Sequence, residues 1–185
     1  PGLLARAGPF VLNARQMTTH EDALMPADVK VRCATAQDRE AVLRLVPRLR
    51  AFGEVPLRSA EAIDAGEIRT LTKYFDGLDE QSCLWVAEAA AGELLGVAFA
   101  QKLIDYFTEE TYAHLGILVV AEQAEGRGVG RALTMAVEHW ARELGSRFLT
   151  LNVFAGNEHA RGFYERQGFQ EDIVRYLKPL PACRR

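Results

Sequence analysis

Between Val119 and Leu133 an apolar run stops, a short polar loop follows, and an amphipathic helix pattern begins. The loop places glycine at every second position, at Gly126, Gly128 and Gly130. No other stretch constrains the chain as much. A strand, a glycine loop and a helix N-terminus together make an anion site from main chain alone. The first N–H groups of a helix lack intrahelical partners, the helix dipole adds positive charge there, and glycine lets the backbone approach a ligand. The expected cradle runs from Gly126 through Arg127, Gly128, Val129 and Gly130 to Arg131, with the two arginines adding fixed charge. The alternative is a strand-to-helix turn that merely uses glycine. The loop is not a Walker A sequence, because no Gly-Lys-Ser/Thr follows. It is not a dinucleotide fingerprint either, since the glycine spacing differs and no acidic residue follows about 20 positions later in a clean βαβ unit.

The chain has 185 residues, enough for one domain with a sizeable core. A net charge of −3 argues against a general nucleic-acid binder, which would show a basic face. No apolar run reaches the roughly 18 residues that span a bilayer. Cys33, Cys83 and Cys183 are far apart and form no Cys-x-x-Cys pair, so neither a disulfide scaffold nor a metal site is expected, and a reducing cytoplasm is the default.

Residues 1–28 mix Gly, Pro, Ala and Arg without a sustained period and read as a poorly ordered N-terminal extension, docked on the domain or on a neighbouring subunit. Its basic, acid-free first twenty residues faintly resemble a transit peptide, and Met17 and Met25 are candidate starts. A domain over 29–180 and a tail over 181–185 complete the division. Val29 to Cys33 alternates as a strand. Thr35 to Asp38 suits a capped helix start, and Pro47 predicts a kink or an end in that first helix. A second helix is expected from Ser59 to Phe75, with Ile63, Ile68 and Leu71 inward. Strands follow over Ser82 to Glu88, Leu94 to Leu103 and Tyr112 to Val120. A helix over Gly128 to Leu144 carries Val129, Leu133, Ala136, Val137, Trp140 and Leu144 on one stripe. A strand over Arg147 to Phe154, a helix over Asn157 to Gln167 and a strand over Phe169 to Leu177 close the order βααβββαβαβ.

A second segment reads Asn152-Val-Phe-Ala-Gly-Asn157-Glu-His-Ala160-Arg-Gly-Phe163-Tyr164-Glu165-Arg-Gln-Gly168-Phe169. That order, this segment and the glycine loop about 30 residues before it resemble the GNAT superfamily of N-acetyltransferases. The family writes its loop Gln/Arg-x-x-Gly-x-Gly/Ala, and Gly128-Val129-Gly130 fits the second half. Glu125 departs from it, standing where the family has Gln or Arg. A carboxylate beside a phosphate is unfavourable unless it points to solvent or pairs with a neighbour such as Arg127 or Arg131. The resemblance implies an α/β (α+β) fold with a central mixed, mostly antiparallel sheet whose fourth and fifth strands splay apart.

The resemblance also implies acetyl-CoA as cosubstrate, an amine as acceptor and no metal. The pantetheine arm would lie along Leu118, Val119 and Val120, with the N–H of Val119 as candidate oxyanion donor. Tyr164 is the candidate general acid towards the departing thiolate. Asn157 reads as an N-cap, a cofactor contact or both, with Ala160 beside it. Asn152 reads as a pantetheine contact or a bridge between the splayed strands. The carboxylate that many family members carry near positions 115 and 116 is missing. His114 is the nearest titratable group and becomes the candidate base. Asp105, Glu109, Glu110 and Glu54 are alternatives that could act through water or attract a cationic amine.

The expected activity is N-acetyl transfer to a primary amine of a small molecule or peptide. The alternative is a weakly catalytic acyl-CoA-binding sensor of the same fold. The expected partners are an amine substrate and a second copy in a homodimer, with no nucleic acid and no membrane.

Overall fold

The computed structural model describes residues 11–12 and 28–180, the first pair as backbone only. Expectations for the rest of the N-terminal extension, for residues 181–185 and for Cys183 lie outside the described residues.

Apolar runs set up the sheet. Its strands are β1 (Val11–Leu12), β2 (Val29–Cys33), β3 (Ser82–Ala89), β4 (Leu94–Ile104), β5 (Thr111–Val120) and β6 (Leu149–Leu151), and they lie side by side in chain order. Every neighbouring pair is antiparallel except β5 and β6, which are parallel. The helices are α1 (Arg39–Leu45), α2 (Ala60–Phe75), α3 (Val129–Glu143) and α4 (Glu158–Arg166). Helix α3 covers one face of the sheet, α1 and α2 the other. The central strands are therefore apolar at nearly every position. Trp85, Ala87, Ala98 and Ala100 pack with Val129, Leu133 and Val137 of α3, while Leu84, Val86, Val97 and Phe99 pack with Val42 of α1 and Leu71 of α2. Each fully buried Leu, Val or Phe side chain here contributes about 1.5–3 kcal/mol of transfer free energy.

The feature that positions the site is a bulge in β5. Ala100 of β4 faces Leu115 and Phe99 faces Ile117, so Gly116 has no partner of its own. An extra residue shifts the two-residue period by one. Before the bulge, Ala113 and Leu115 are buried on the α3 side; after it, Ile117 and Val119 are buried on the α1–α2 side. The pairing of β5 with β6 covers Ala113 to Leu115 against Leu149 to Leu151 and stops at the same level. Beyond it the two strands part.

The local signals act as the residue chemistry requires. The Asp38 carboxylate accepts from the Thr35 N–H at 2.7 Å and from its hydroxyl at 2.9 Å, the reciprocal half of a capping box. Helix α1 ends at Leu45, and the chain tightens into a 3-10 turn over Val46–Arg50 that contains Pro47. Ser59 caps α2 by accepting from the N–H of Ala62 at 3.2 Å.

Four expectations are corrected. Residues 169–177 form no strand. Ile173 and Val174 are adjacent, so no single face of that segment collects the apolar residues, and Ile173, Val174, Tyr176 and Leu177 are exposed. The strand expected over Arg147 to Phe154 shortens to Leu149–Leu151, because β5 bulges away from it at Gly116. Ile68 lies on the rim of α2 and is exposed, the buried face being that of Leu71, Tyr74 and Phe75. Val119 presents its N–H inwards to β4, as described next.

Candidate active site

The glycine loop follows β5 through a short 3-10 turn, Glu122–Ala124. Gly126 and Gly128 both take positive φ, 72° and 79°, which only glycine adopts without strain. Gly128 is the N-cap of α3, and its carbonyl accepts the first intrahelical bond, from Ala132 N–H at 3.0 Å. The N–H groups of Gly126, Gly128, Val129, Gly130 and Arg131 donate to no described backbone or side-chain acceptor. Five free donors at a helix N-terminus form an anion cradle. Arg127 is tied to Asp28, and Arg131 makes no ion pair with a described residue.

The two sequence motifs meet at Gly130. A Cβ placed there would lie 3.4 Å from Phe163 Cζ and 3.6 Å from Val120 Cγ2. The end of β5, the start of α3 and the middle of α4 therefore touch at a residue with no side chain. The next residue of α4, Tyr164, packs its ring on the α3-side core, against Phe163 and Phe169. Its hydroxyl has no described partner, and burial pushes its pKa up to about 12. It is a protonated phenol with a donor to spare.

The other face holds His114. Its Nδ1 lies 2.7 Å from the Thr150 hydroxyl, and its Nε2 lies 3.4 Å from Asn152 Nδ2. An amide nitrogen donates, so Nε2 carries the lone pair and Nδ1 the proton, which goes to Thr150 Oγ1. Burial lowers the His114 pKa below its ordinary value near 6.5, which keeps the ring neutral at neutral pH. Asn152 thus bridges the parting strands. Asn157 caps α4, its Oδ1 accepting from Ala160 N–H at 3.1 Å.

The backbone of β5 corrects one donor. Ala121 N–H donates to the Leu95 carbonyl at 2.8 Å. Antiparallel strands alternate their N–H directions, so Val119, in register with Val97, also points its N–H to β4. The N–H groups that face the opening are those of Leu118 and Val120.

The described arrangement is an opening between two parting strands with an anion cradle at one end. A neutral imidazole lies on one face of the sheet and a phenol on the other. Asp105 and Glu110 lie away from it. Asp105 is occupied by the N–H groups of Phe107 and Thr108, and Glu110 pairs with Arg147.

Several members of the site were not singled out from the sequence. Thr150 lies two residues before Asn152, which directly follows β6, and both contact the His114 ring, a pairing that two-residue spacing alone suggests. Phe52 stacks on Phe154 with centroids 5.6 Å apart, and the Arg58 guanidinium lies 5.8 Å from the Phe154 ring centre. This joins the loop after α1 to the chain leaving β6. Arg48 pairs with Glu122 and Glu125. No local pattern could announce these long-range pairs. Among the described residues, no helix is long and apolar enough to cross a membrane, and no group of three or more His, Cys, Asp or Glu could hold a metal ion.

Known proteins are similar to the chain in sequence and in fold. The chain is 33% identical over 107 residues to an aminoglycoside N(6')-acetyltransferase type 1 of Stenotrophomonas maltophilia, covering 55% of this chain and 70% of that protein. It is 30% identical over 157 residues to a mycothiol acetyltransferase of Beutenbergia cavernae, covering 85% of this chain but only 50% of that protein. In fold it is similar to the ribosomal-protein-alanine N-acetyltransferase of Brucella melitensis biovar Abortus 2308. The TM-score there is 0.62 at 20% identity, over 82% of this chain and 99% of that one. The sequence profile of the acetyltransferase (GNAT) family matches residues 52–169, which include the glycine loop, the β5–β6 opening and α4. The chain belongs to the acetyltransferase (GNAT) family.

Proposed function

We propose that the protein transfers the acetyl group of acetyl-CoA to a primary amine by direct attack. The observation that carries the reading is the placement of His114 and Tyr164 on opposite faces of the sheet, at an opening whose end carries five free N–H donors. The donor set suits a diphosphate: the donors are main-chain groups at a helix N-terminus, with Arg131 beside them. Gly126 to Arg131 would hold the diphosphate, and the free N–H groups of Leu118 and Val120 would meet the amide-bearing arm.

Acetyl-CoA, when bound, supplies an acyl group activated as a thioester. The residues of the chain do the rest. The cradle and β5 fix the acyl carbon in the opening, and holding both reactants there converts a bimolecular step into a local one. The N–H groups of Leu118 and Val120 are the donors available to a carbonyl oxygen as it gains charge. His114 Nε2 accepts the proton that the amine nitrogen sheds as its new C–N bond forms. The Tyr164 hydroxyl gives a proton to the sulfur as the C–S bond breaks. The products are an amide and a free thiol.

The acceptor approaches from the α1–α2 side, past Phe52 and Phe154. The aminoglycoside relative makes aminoglycosides the first acceptors to try, followed by polyamines and peptide N-termini. The test is incubation with acetyl-CoA and such a panel, with thiol release and the mass of the acetylated amine as readouts. Turnover with at least one amine is expected. CoA binding without transfer to any amine would sink the reading and leave a sensor of the same fold.

A further inference from the structure

Arg48 is 77 residues from Glu125 in sequence, yet its guanidinium is committed to the two carboxylates at the entrance of the glycine loop. Nη1 donates to Glu122 Oε2 at 3.0 Å and Nη2 to Glu125 Oε1 at 2.5 Å. Its Nε is buried without a described partner. The arginine side chain is 26% exposed, against 81% for Glu122 and 54% for Glu125. The cation is therefore the fixed member, held by its packing, and the two glutamates come to it.

The position of Glu125 makes this pairing consequential. It immediately precedes Gly126, whose N–H is the first of the five free donors. A carboxylate free to move here would compete with an anionic ligand for those donors and repel it. Like charges a few ångströms apart near a protein surface cost on the order of kcal/mol. Arg127 does not provide relief, because it is taken by Asp28. Arg131, the third residue of α3, makes no ion pair with Glu125.

We infer that Arg48 is a positioning residue for the cosubstrate: it neutralises Glu125, draws that carboxylate away from the cradle, and pins the Glu122–Ala124 turn so that the loop keeps its donors aligned. The inference rests on the reading that the loop binds the diphosphate of acetyl-CoA. It also links the two substrates. The 3-10 turn that carries Arg48 runs directly into the loop of Phe52, which stacks on Phe154 at the acceptor side.

The test is calorimetric binding of CoA itself to wild type, Arg48→Met, Glu125→Gln and the double variant. Methionine keeps the buried stem and removes the charge. Arg48→Met is expected to weaken CoA binding about tenfold, with the loss shrinking as salt is raised. Glu125→Gln alone should bind within about twofold of wild type, and the double variant should recover to within about threefold, because the repelling carboxylate is gone. A merely structural arginine predicts no such recovery. Arg48→Gln offers the same comparison in a second background should Arg48→Met fail to fold. Unchanged CoA affinity in a folded Arg48 variant, or a double variant as weak as the single, overturns the proposal. A wild-type chain that binds no CoA overturns instead the reading on which it rests.

Discussion

His114 Nδ1 stands 2.7 Å from the Thr150 hydroxyl, across the middle of the three paired levels of β5 and β6. This contact holds the ring, and the Asn152 amide nitrogen beside Nε2 marks that atom as the proton acceptor. It predicts a pH signature. A base must be neutral to act, so kcat should rise with pH through the His114 pKa and then level off. Burial lowers that pKa, so the midpoint of the rise should fall below the ordinary histidine value near 6.5. His114→Asn should lower kcat by about 100-fold. Thr150→Val should lose less, about tenfold, and move the acid limb of the profile. Rate–pH profiles at saturating amine read this directly. A His114→Asn enzyme with an unchanged kcat and acid limb would remove the imidazole from the chemistry.

Tyr164→Phe deletes an oxygen that has no described partner and so orphans no neighbour. Its stability should change by less than about 1 kcal/mol. The ring packing remains, and so should the affinity for CoA. The kcat should fall by about 100-fold if the hydroxyl protonates the leaving sulfur. Binding calorimetry beside steady-state kinetics separates the two. Loss of affinity with unchanged kcat would assign the hydroxyl to binding rather than to proton transfer.

The sheet was largely legible because its rules are local. Two-residue alternation located β2, apolar runs located β3 to β5, and a 3.6-residue stripe located α3, each to within a residue or two. The glycine spacing located the cradle. The bulge at Gly116 left no comparable mark. It is a mismatch of register between two strands, and neither strand shows it alone. It nonetheless decides where β6 stops pairing, which way Val119 points its N–H, and which face Ile117 joins. Glu125 shows a similar limit. Its sequence neighbours Arg127 and Arg131 were the natural partners, but Arg127 is held by Asp28, and the arginine that reaches Glu125 comes from the turn after α1.

The Arg32 guanidinium bonds both oxygens of Asp38 at 2.8 Å and also reaches Glu88. Beside that cation and the Thr35 donors, the Asp38 pKa falls from 3.8 to about 2. A depressed carboxylate stabilises the fold fully above its unfolded pKa. The contribution declines as pH falls from about 4 to about 2. Asp38→Asn should therefore cost about 1–2 kcal/mol at neutral pH, after allowance for partial solvent screening, and nearly nothing at pH 2. Urea unfolding at several pH values measures the difference. A cost that does not shrink on acidification would show that the charge is not its source.

Gly128 and Gly130 separate two uses of glycine in one loop. Gly128 holds φ at 79°, a value that proline cannot reach and that other residues reach with about 1–2 kcal/mol of strain. Gly128→Pro should abolish CoA binding, because it turns the first turn of α3 and removes a cradle N–H. Gly130 is helical, and a methyl there would meet Phe163 at 3.4 Å and Val120 at 3.6 Å, near ordinary contact. Alanine in a helix is favoured over glycine by about 0.5–1 kcal/mol, so Gly130→Ala should fold at least as well as wild type. It should keep CoA affinity within about threefold, since its N–H remains and α4 need shift only by tenths of an ångström. Thermal unfolding and CoA calorimetry on the two variants test the pair together. A Gly130→Ala protein that folds but binds no CoA would mean that the ligand needs the space above residue 130 as well as its N–H.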